Sequence, residues 1–421
     1  MRRLRAVLLA LLAPITLLLA YVVWGKSRRK RVRFNVPQTD LTSLVRSFAA
    51  FTWGHVSEGN RVDIVQNSGF FDALLHDVAA ARHHVHLETF LWANSQISDR
   101  IEAAFTEAAR RGIEVRVLVD QRGAKQTDPR VWRRMRDGGV DFRVYHRMRF
   151  GEFARYNHRD HRKIAVIDGR IGYTFGHGIA DMWGGTPDEP TGWRDTGARF
   201  EGPVVNDLQA AFFDNWVKTR GEAIAGDAYF PRLATAGDTP LHVTYARPPE
   251  TTSGVQRLYY LAIAAARREI VLQNPYFLPD RQALQLFADA VRRGVSISIM
   301  LPTSATSDFA IVQHASHYYY GALLAMGVRV YEHTRCGLHQ KVMIVDREWS
   351  SLGSTNFDPR SFRLNEEITV GIHDRRVAEE LYAAFENDIK GSELWTLEGW
   401  NARDLRHRVV DRLSALAKRQ L

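Results

Sequence analysis

Residues 161–168 read HRKIAVID and residues 339–346 read HQKVMIVD, so the pattern His-x-Lys-x4-Asp occurs twice in the chain. Its six defining residues are His161, Lys163 and Asp168 in the first copy and His339, Lys341 and Asp346 in the second. Between the lysine and the aspartate both copies are apolar and rich in β-branched residues, which predicts a strand. Because side chains alternate along a strand, we expect the histidine and the lysine of each copy to share one face.

An imidazole beside an ammonium group is suited to reaction at a phosphate ester. The lysine neutralises phosphate oxygens, while the histidine attacks phosphorus or transfers a proton. Two copies supply the two histidines of a double displacement, one forming a covalent phosphohistidine and the other acting as acid and then as base. We therefore interpret the six residues as the catalytic set, and within it we expect Asp168 and Asp346, which end their strands, to be structural. The sequence has no HExxH motif and no Asp-rich loop, so no metal and no other cofactor is expected.

The two motifs belong to a longer internal repeat. In each copy a strand with an aromatic end precedes an amphipathic helix that ends in Arg-Arg-Gly, and two further strands follow. The repeated elements are residues 85–92, 97–112, 115–119 and 139–145 in the first copy, and 269–277, 280–294, 295–301 and 327–331 in the second. This order predicts two α/β units, each a mixed sheet flanked by helices, with a site where the units meet.

Composition divides the chain into five predicted segments. They are a membrane anchor with basic flanks (1–33), a first half (34–222), a connector rich in Gly and Pro (223–250), a second half (251–395) and a basic C-terminal helix (396–421). The last segment alternates apolar residues with Arg and Lys, which fits a membrane-surface helix or a packed terminal helix equally well.

Residues 6–25 form an uncharged run of twenty residues with three basic residues before it and six shortly after it. At about 1.5 Å per residue this run is long enough to cross a bilayer as a helix. We interpret it as an uncleaved anchor rather than a signal peptide, because it ends in the bulky sequence YVVW without a small-x-small cleavage site. The larger positive charge after the run predicts a cytoplasmic body.

The formal charge of +10 is concentrated at this end of the chain. Residues 1–33 contain nine Lys and Arg and no acidic residue, which leaves 48 basic and 47 acidic residues in 34–421. A nearly neutral body does not favour binding along a polynucleotide, so nucleic acid is not an expected partner. The single cysteine, Cys336, excludes a disulfide framework and a cysteine-built metal site, and we expect an unreactive thiol.

After the second motif, residues 353–367 read GSTNFDPRSFRLNEE. This stretch closely resembles the GSxNxDxRSxxxNxE sequence of bacterial cardiolipin synthases, and the paired motifs resemble the HxKxxxxD motifs of the phospholipase D superfamily to which those enzymes belong. The resemblance covers roughly residues 60–390. It implies an α/β fold of two pseudo-symmetric phospholipase D-like half-domains, preceded here by one N-terminal transmembrane helix, with the motifs at a central cleft.

The resemblance implies roles for four further residues. Ser354 and Asn356 would donate hydrogen bonds to the substrate phosphate. Glu367 would orient His339, the histidine of its own half. In the first half Asp195, in the segment WRDT at 193–196, would orient His161 in the same way.

One position departs from the family pattern. Gly178 stands where the family commonly has the asparagine of a Gly-Gly-x-Asn stretch, which removes one side-chain phosphate donor. The backbone amides of Gly176 and Gly178 or the side chain of His177 are the candidate replacements.

Five other residues near the repeated strands carry two interpretations each. Glu88 and Asn274 occupy equivalent strand ends and are equally suited to lining the cleft or to packing. Trp183, Trp193 and Tyr276 are interpreted as core or rim residues in preference to lipid-chain contacts.

The resemblance thus implies a phosphatidyltransferase of the cardiolipin synthase type, acting at the cell (inner) membrane on phosphatidylglycerol. His161 would attack phosphorus, His339 would protonate the departing glycerol, and a second phosphatidylglycerol would accept the phosphatidyl group, the two histidine roles being exchangeable. A phospholipase D that releases phosphatidic acid would use the same residues. The neutral body disfavours a phosphodiester nuclease, and the two intact motifs disfavour a non-catalytic membrane protein. The oligomeric state stays open.

Overall fold

The structure, a computed structural model, describes residues 41–416 except 126, 146–156, 188, 190, 221 and 248–252, together with Phe34, Val36 and Pro37. The predicted anchor, residues 1–33, lies outside the described residues. Within the described part, none of the helices combines the length and the apolar character needed to cross a membrane.

The repeated sequence elements form the strands and helices of an α/β fold. The strands are β1 (Ser57–Gln66), β2 (His84–Thr89), β3 (Glu114–Asp120), β4 (Asp141–Tyr145), β5 (Arg159–Asp160), β6 (Ile164–Ile167), β7 (Ile171–Phe175), β8 (Trp193–Arg194), β9 (Thr196–Glu201), β10 (Thr239–Tyr245), β11 (Glu269–Gln273), β12 (Ser296–Pro302), β13 (Arg329–His333), β14 (Gly337–Leu338), β15 (Val342–Val345), β16 (Trp349–Gly353), β17 (Asn365–Glu366), β18 (Ile368–Ile372) and β19 (Ser392–Leu394). The helices are α1 (Leu41–Phe51), α2 (Gly69–Ala80), α3 (Gln96–Arg110), α4 (Pro129–Asp137), α5 (Val204–Arg220), α6 (Gly254–Ala265), α7 (Arg281–Arg292), α8 (Ala310–Ala325), α9 (Pro359–Arg363), α10 (Arg375–Ile389), α11 (Leu397–Asn401) and α12 (Leu405–Leu416).

Fifteen strands form one mixed sheet in the order β19-β13-β12-β11-β15-β16-β18-β10-β1-β9-β7-β6-β2-β3-β4. Apart from the edge strand β19, the two halves of the sheet contain equivalent strands in mirror-image order on either side of the antiparallel pair of β1 and β10. In each half three parallel strands are followed by antiparallel ones, as the sequence predicts. The prediction of an α/β fold with two related halves is confirmed, whereas the two separate sheets predicted for it are in fact one.

The predicted connector, residues 223–250, contains the strand that joins the halves. β10 pairs with β1 on one side and with β18 on the other. Pro240 is the second residue of β10, and a proline at the start of a strand leaves the rest of the ladder intact. The segment predicted as the connector therefore contains a regular strand over Thr239–Tyr245.

Local signals fix the ends of the equivalent helices α3 and α7. Ser95 accepts a hydrogen bond from a backbone N–H at the start of α3, and Asp280 does the same at the start of α7. After the Arg-Arg pairs, Gly112 and Gly294 have φ angles of +87° and +88°, a conformation that favours glycine and ends each helix.

Helices cover both faces of the sheet because successive strand residues, which point to opposite faces, are both apolar. In β6, Ala165 packs in a cluster with α2, α3 and α4, while Val166 packs in a second cluster with α5 and α10. The second cluster combines strands of both halves, from Val62 in β1 to Ile344 in β15. The halves therefore share a hydrophobic core as well as a sheet.

Candidate active site

Two short strand pairs outside the main sheet connect the halves. β17 of the second half pairs in parallel with β5 of the first, and β14 of the second half pairs in parallel with β8 of the first. Each pair stops just before a motif histidine on one strand and a predicted orienting carboxylate on the other. At these ends the N–H of His161 donates to the carbonyl oxygen of Glu366 at 2.9 Å, and the N–H of His339 donates to that of Arg194 at 2.8 Å.

Each carboxylate consequently holds the histidine of the opposite half. Nδ1 of His161 lies 2.9 Å from Oε2 of Glu367, and Nδ1 of His339 lies 2.8 Å from Oδ2 of Asp195. The predicted pairing, Asp195 with His161 and Glu367 with His339, is wrong because the parallel strand pairs exchange the carboxylates between halves. Within one half, therefore, a histidine and its carboxylate partner do not occur together.

The histidines and lysines precede the strands on which they were predicted to lie. β6 begins at Ile164 and β15 at Val342, since the backbone at each histidine bonds to the other half instead of to the sheet. The ammonium group of Lys163 donates to the carbonyl oxygen of His161 at 3.0 Å. The ammonium group of Lys341 donates to the carbonyl oxygen of His339 and contacts its imidazole nitrogens.

Burial favours the neutral form of both imidazoles and of both lysines. It lowers the pKa of His161, and together with the nearby Lys341 ammonium it lowers the pKa of His339 to about 4. Burial also lowers the pKa of Lys163 to about 8 and that of Lys341 to about 7. Lys341 lowers the pKa of His161 as well, which places the two motifs within electrostatic reach of each other.

The two carboxylates are fully buried and ionised. Burial alone would raise the pKa of Glu367, but the facing His161 and Lys163 outweigh it and lower that pKa. The pKa of Asp195 is held well below its usual range against the same effect of burial, by His177 and His339. An ionised carboxylate accepts the Nδ1 proton, so each neutral ring presents the lone pair of Nε2.

The aspartates that close the motifs lie at the far ends of β6 and β15 from the histidines. Both residues have positive φ angles, +54° at Asp168 and +55° at Asp346, which aspartate tolerates in a turn. Their carboxylates accept backbone N–H groups at Arg82, His83 and His84, and at Arg267, Arg268 and Glu269. These contacts support the structural interpretation, since they anchor the segments that enter β2 and β11.

Of the two predicted phosphate donors, Ser354 is already hydrogen-bonded to another residue of the site. The hydroxyl of Ser354 donates to the carboxylate of Glu367 and accepts the N–H of Ile368, so it positions the partner of His161. The side chain of Asn356 is buried, and among the described residues its Oδ1 has no hydrogen-bond partner. Oδ1 is an acceptor, so a phosphate oxygen would be bound by the Nδ2 donor of the same amide, and Ser354 is the less available of the two residues.

Comparison with known proteins now identifies the family. The profile described as "Cardiolipin synthase, PLD-like domain" matches residues 74–179 and 259–389, more than half of the chain, with one motif in each segment. The chain belongs to this cardiolipin synthase family.

Full-length relatives extend the match beyond the two segments. The chain is 30% identical over 377 residues to the major cardiolipin synthase ClsA of Bacillus subtilis (strain 168), covering 89% of this chain and 77% of that protein. It is 30% identical over 378 residues to cardiolipin synthase 1 of Staphylococcus aureus (strain COL), covering 89% and 76%.

Solved structures share the fold of the family. The phosphatidylserine synthase of Haemophilus influenzae Rd KW20 superposes with a TM-score of 0.66 at 14% identity, over 86% of this chain and 95% of that one. The polyphosphate kinase of Porphyromonas gingivalis gives a TM-score of 0.52 at 15% identity, over 78% and 50%.

Gly178 stands where the cardiolipin synthase pattern has an asparagine. The ring of Trp183 occupies the space that the asparagine side chain would need. A Cβ atom on Gly178 would lie 2.7 Å from Cζ3 of Trp183, so an asparagine side chain has no room there. The indole Nε1 of Trp183 donates to Oδ2 of Asp195 at 2.9 Å, the counterpart of the bond from Ser354 to Glu367. The sequence predicted a core or rim position for Trp183. The glycine at position 178, where the family has asparagine, was the one sequence feature that indicated a bulky residue beside it.

The remaining candidates have mainly structural roles. His177 lies 2.9 Å through Nε2 from the carbonyl oxygen of Asn67, to which it can donate, so it does not replace the missing phosphate donor. The carbonyl oxygen of the Asn274 side chain accepts two backbone N–H groups. Glu88 is buried beneath the site, where burial raises its pKa to about 7 and Asn215 donates to it.

The last three candidates are two aromatic residues and the cysteine. The Trp193 ring centre lies 5.2 Å from that of His339, which makes Trp193 part of the site's wall. The Tyr276 hydroxyl donates to Asp308 at 2.6 Å. Burial raises the pKa of Cys336 to about 11, which agrees with an unreactive thiol.

Proposed function

We propose that the protein joins two phosphatidylglycerol molecules into cardiolipin and releases glycerol. The observation that carries this proposal is the pair of neutral histidines, each held through Nδ1 by a buried carboxylate of the other half. The names of the full-length relatives supply the substrate class: cardiolipin synthases in Bacillus and Staphylococcus.

In the first displacement, Nε2 of His161 attacks the phosphorus of phosphatidylglycerol. A P–N bond forms, the bond from phosphorus to the glycerol oxygen breaks, and His339 gives its proton to that oxygen. His339 is neutral in the free protein, and the negative charge of the bound phosphate favours its protonated form. The products are free glycerol and a phosphatidyl group on His161.

In the second displacement, a hydroxyl of another phosphatidylglycerol attacks the same phosphorus. His339, now neutral, takes the hydroxyl proton while the P–N bond breaks and returns His161 to its starting state. Lys163, Lys341 and Asn356 hold the phosphate oxygens during both steps. Glu367 and Asp195 stabilise the imidazolium that forms on each ring and fix its orientation.

Product analysis by mass spectrometry tests this function. The full chain in detergent, given phosphatidylglycerol in the presence of a chelator, is expected to yield cardiolipin and glycerol in equal amounts. His161→Ala and His339→Ala should each abolish both products. Phosphatidic acid as the sole product would assign a hydrolase, and activity that survives both substitutions would refute the proposed site.

We further propose that residues 6–25 anchor the protein in the membrane that contains its substrate, with a cytoplasmic body. The uncharged run and its basic flanks support this proposal. Fractionation of cells should find the full chain with the membranes and its body protected from protease added outside. Equal membrane recovery after deletion of residues 1–33 would contradict the anchor.

A further inference from the structure

A cluster of metal-ligating side chains lies between α8 and α12, outside the site described above. His314 and His317 occupy successive turns of α8, and Asp411 lies on α12. One ligand atom from each of the three residues lies within 4.8 Å of the other two. Asp411 is 2% exposed and is one of the few residues that α12 buries against the body.

The distances in this cluster fit a tetrahedral metal ion. Nδ1 of His314 lies 3.1 Å and Nδ1 of His317 lies 3.4 Å from Oδ1 of Asp411. Zinc–nitrogen bonds of about 2.0–2.1 Å in a tetrahedron separate neighbouring ligand atoms by about 3.3 Å. The other carboxylate oxygen of Asp411 accepts a hydrogen bond from Arg403 at 2.7 Å, which fixes Oδ1 toward the histidines.

The surroundings of His317 leave a place for a cation. Glu332 is buried, and its Oε1 lies 2.8 Å from Nε2 of His317. When the Glu332 carboxylate accepts the Nε2 proton of a neutral His317, Nδ1 of that ring is an acceptor that faces Oδ1 of Asp411. Two acceptors at 3.4 Å repel each other unless a proton or a metal ion lies between them.

The same contact is the pattern found behind metal-bound histidines. A carboxylate that accepts the second ring N–H of a histidine fixes its tautomer and raises its basicity toward the metal. Tyr320 and Gln313 also donate to Glu332, so this carboxylate is held in place. A cavity of about 170 Å³ adjoins His317 and Asp411 and is also lined by Arg403, Arg408 and Arg412, so its space suits a water molecule or an anion as the remaining ligand.

We propose that His314, His317 and Asp411 bind a divalent transition metal ion, with zinc the best match, and that this ion fastens α12 to α8. Two imidazoles and one carboxylate are a ligand set that zinc favours. The ion replaces the proton between His317 and Asp411, so its binding stabilises the docked position of α12.

The full chain is first stripped of metal with a chelator and then given zinc. The test measures the zinc that stays bound after gel filtration. We expect one zinc per chain that His314→Ala removes; this residue is partly exposed, so the variant is expected to fold. Glu332→Gln should weaken zinc binding about 10–100-fold, the effect typical of the residue behind a ligand. His407→Ala is the matched control, because His407 lies exposed on α12 and outside the ligand cluster, and zinc binding should be unchanged.

Amide hydrogen exchange supplies a second, local readout. Zinc should slow exchange in Leu405–Leu416 of the wild-type chain and leave it unchanged in His314→Ala. Zinc binding that is equal in His314→Ala and wild type would place the metal elsewhere, for example at His161 and His339, and would overturn the proposal. Absence of zinc binding to the wild type would assign the cluster to a protonated His317 alone and would equally overturn it.

Discussion

The motif histidines are held by carboxylates that follow strands of the opposite half. Glu367 lies 2.9 Å from His161, and Asp195 lies 2.8 Å from His339. A neutral amide in place of either carboxylate would no longer stabilise the imidazolium or select the Nδ1-protonated ring. At the scale of single residues, this exchange makes each half necessary for the chemistry proposed for the histidine of the other.

Glu367→Gln is expected to lower kcat about 10²–10⁴-fold without unfolding the protein, because the amide keeps the shape and loses the charge. The exposed Glu386→Gln is the control and should leave kcat unchanged. Steady-state kinetics on phosphatidylglycerol measure both, and an unaltered kcat in Glu367→Gln would contradict the assignment.

The buried lysines predict the alkaline limb of the pH profile. Burial lowers the pKa of Lys341 to about 7 and that of Lys163 to about 8, so both lose their positive charge as the pH rises through this range. Because the phosphate needs that charge, kcat/KM, which reports on the free enzyme, should fall above about pH 7–8. Lys341→Arg should move the start of the limb upward, from about pH 7 toward the pKa of Lys163, since arginine stays protonated. A limb near pH 10, the ordinary value for lysine, would be inconsistent with this account.

The hydrogen bond from Trp183 to Asp195 predicts a difference between two tryptophans. A hydrogen bond to a charged group contributes about 1.5–3 kcal/mol, so Trp183→Phe should lower kcat about 10- to 150-fold. Trp193→Phe is the matched control, because its ring also borders His339 while its indole makes no hydrogen bond to Asp195. Equal losses in the two variants would assign Trp183 a packing role only.

At the scale of elements, the motif aspartates hold turns that register the strands. Asp346→Ala leaves backbone N–H groups before β11 without their acceptor and puts alanine at a φ of +55°. We expect the free energy of unfolding to fall by about 1–3 kcal/mol while kcat per folded molecule is kept. Urea denaturation measures the first quantity, with the exposed Asp227→Ala as control. A loss of kcat at unchanged stability would instead give Asp346 a catalytic role.

The elements that the sequence predicted well are those with a periodic pattern and a stop signal. The Arg-Arg-Gly ends at Gly112 and Gly294 located α3 and α7 to within a few residues. β10 was missed because Pro240 and its neighbours resemble a loop. The two-residue strands β5, β8, β14 and β17 were also missed, since a strand of two residues has no periodicity to detect.

The exchange of carboxylates could not be predicted for a related reason. Asp195 and Glu367 follow equivalent positions in a repeated sequence, and that repeat is equally compatible with pairing inside a half or across the halves. Only the parallel alignment of β14 with β8 and of β17 with β5 decides between the two. In the same way, His317 and Asp411 are 94 positions apart in the chain, and only the packing of α12 on α8 brings them together.

At the scale of the whole molecule, one sheet and one core join the two halves. β1 pairs with β10, and the buried ion pair of Arg194 with Asp388 adds a polar link across the halves at 3.0 Å. We therefore expect the body to unfold in a single cooperative transition in scanning calorimetry, with equal calorimetric and van't Hoff enthalpies. Two resolved transitions that correspond to the two halves would show that the shared sheet does not couple them.

The proposed mechanism depends most directly on a covalent bond between phosphorus and a histidine at the junction of the halves. The decisive measurement gives the full chain phosphatidylglycerol with a labelled phosphate, stops the reaction with alkali within milliseconds, and maps the label by mass spectrometry. We predict a phosphatidyl group on His161 that appears in the wild-type chain before cardiolipin does, and that His161→Ala lacks. Turnover to cardiolipin with no label on either motif histidine at any time would contradict the double displacement and with it the role assigned to the site.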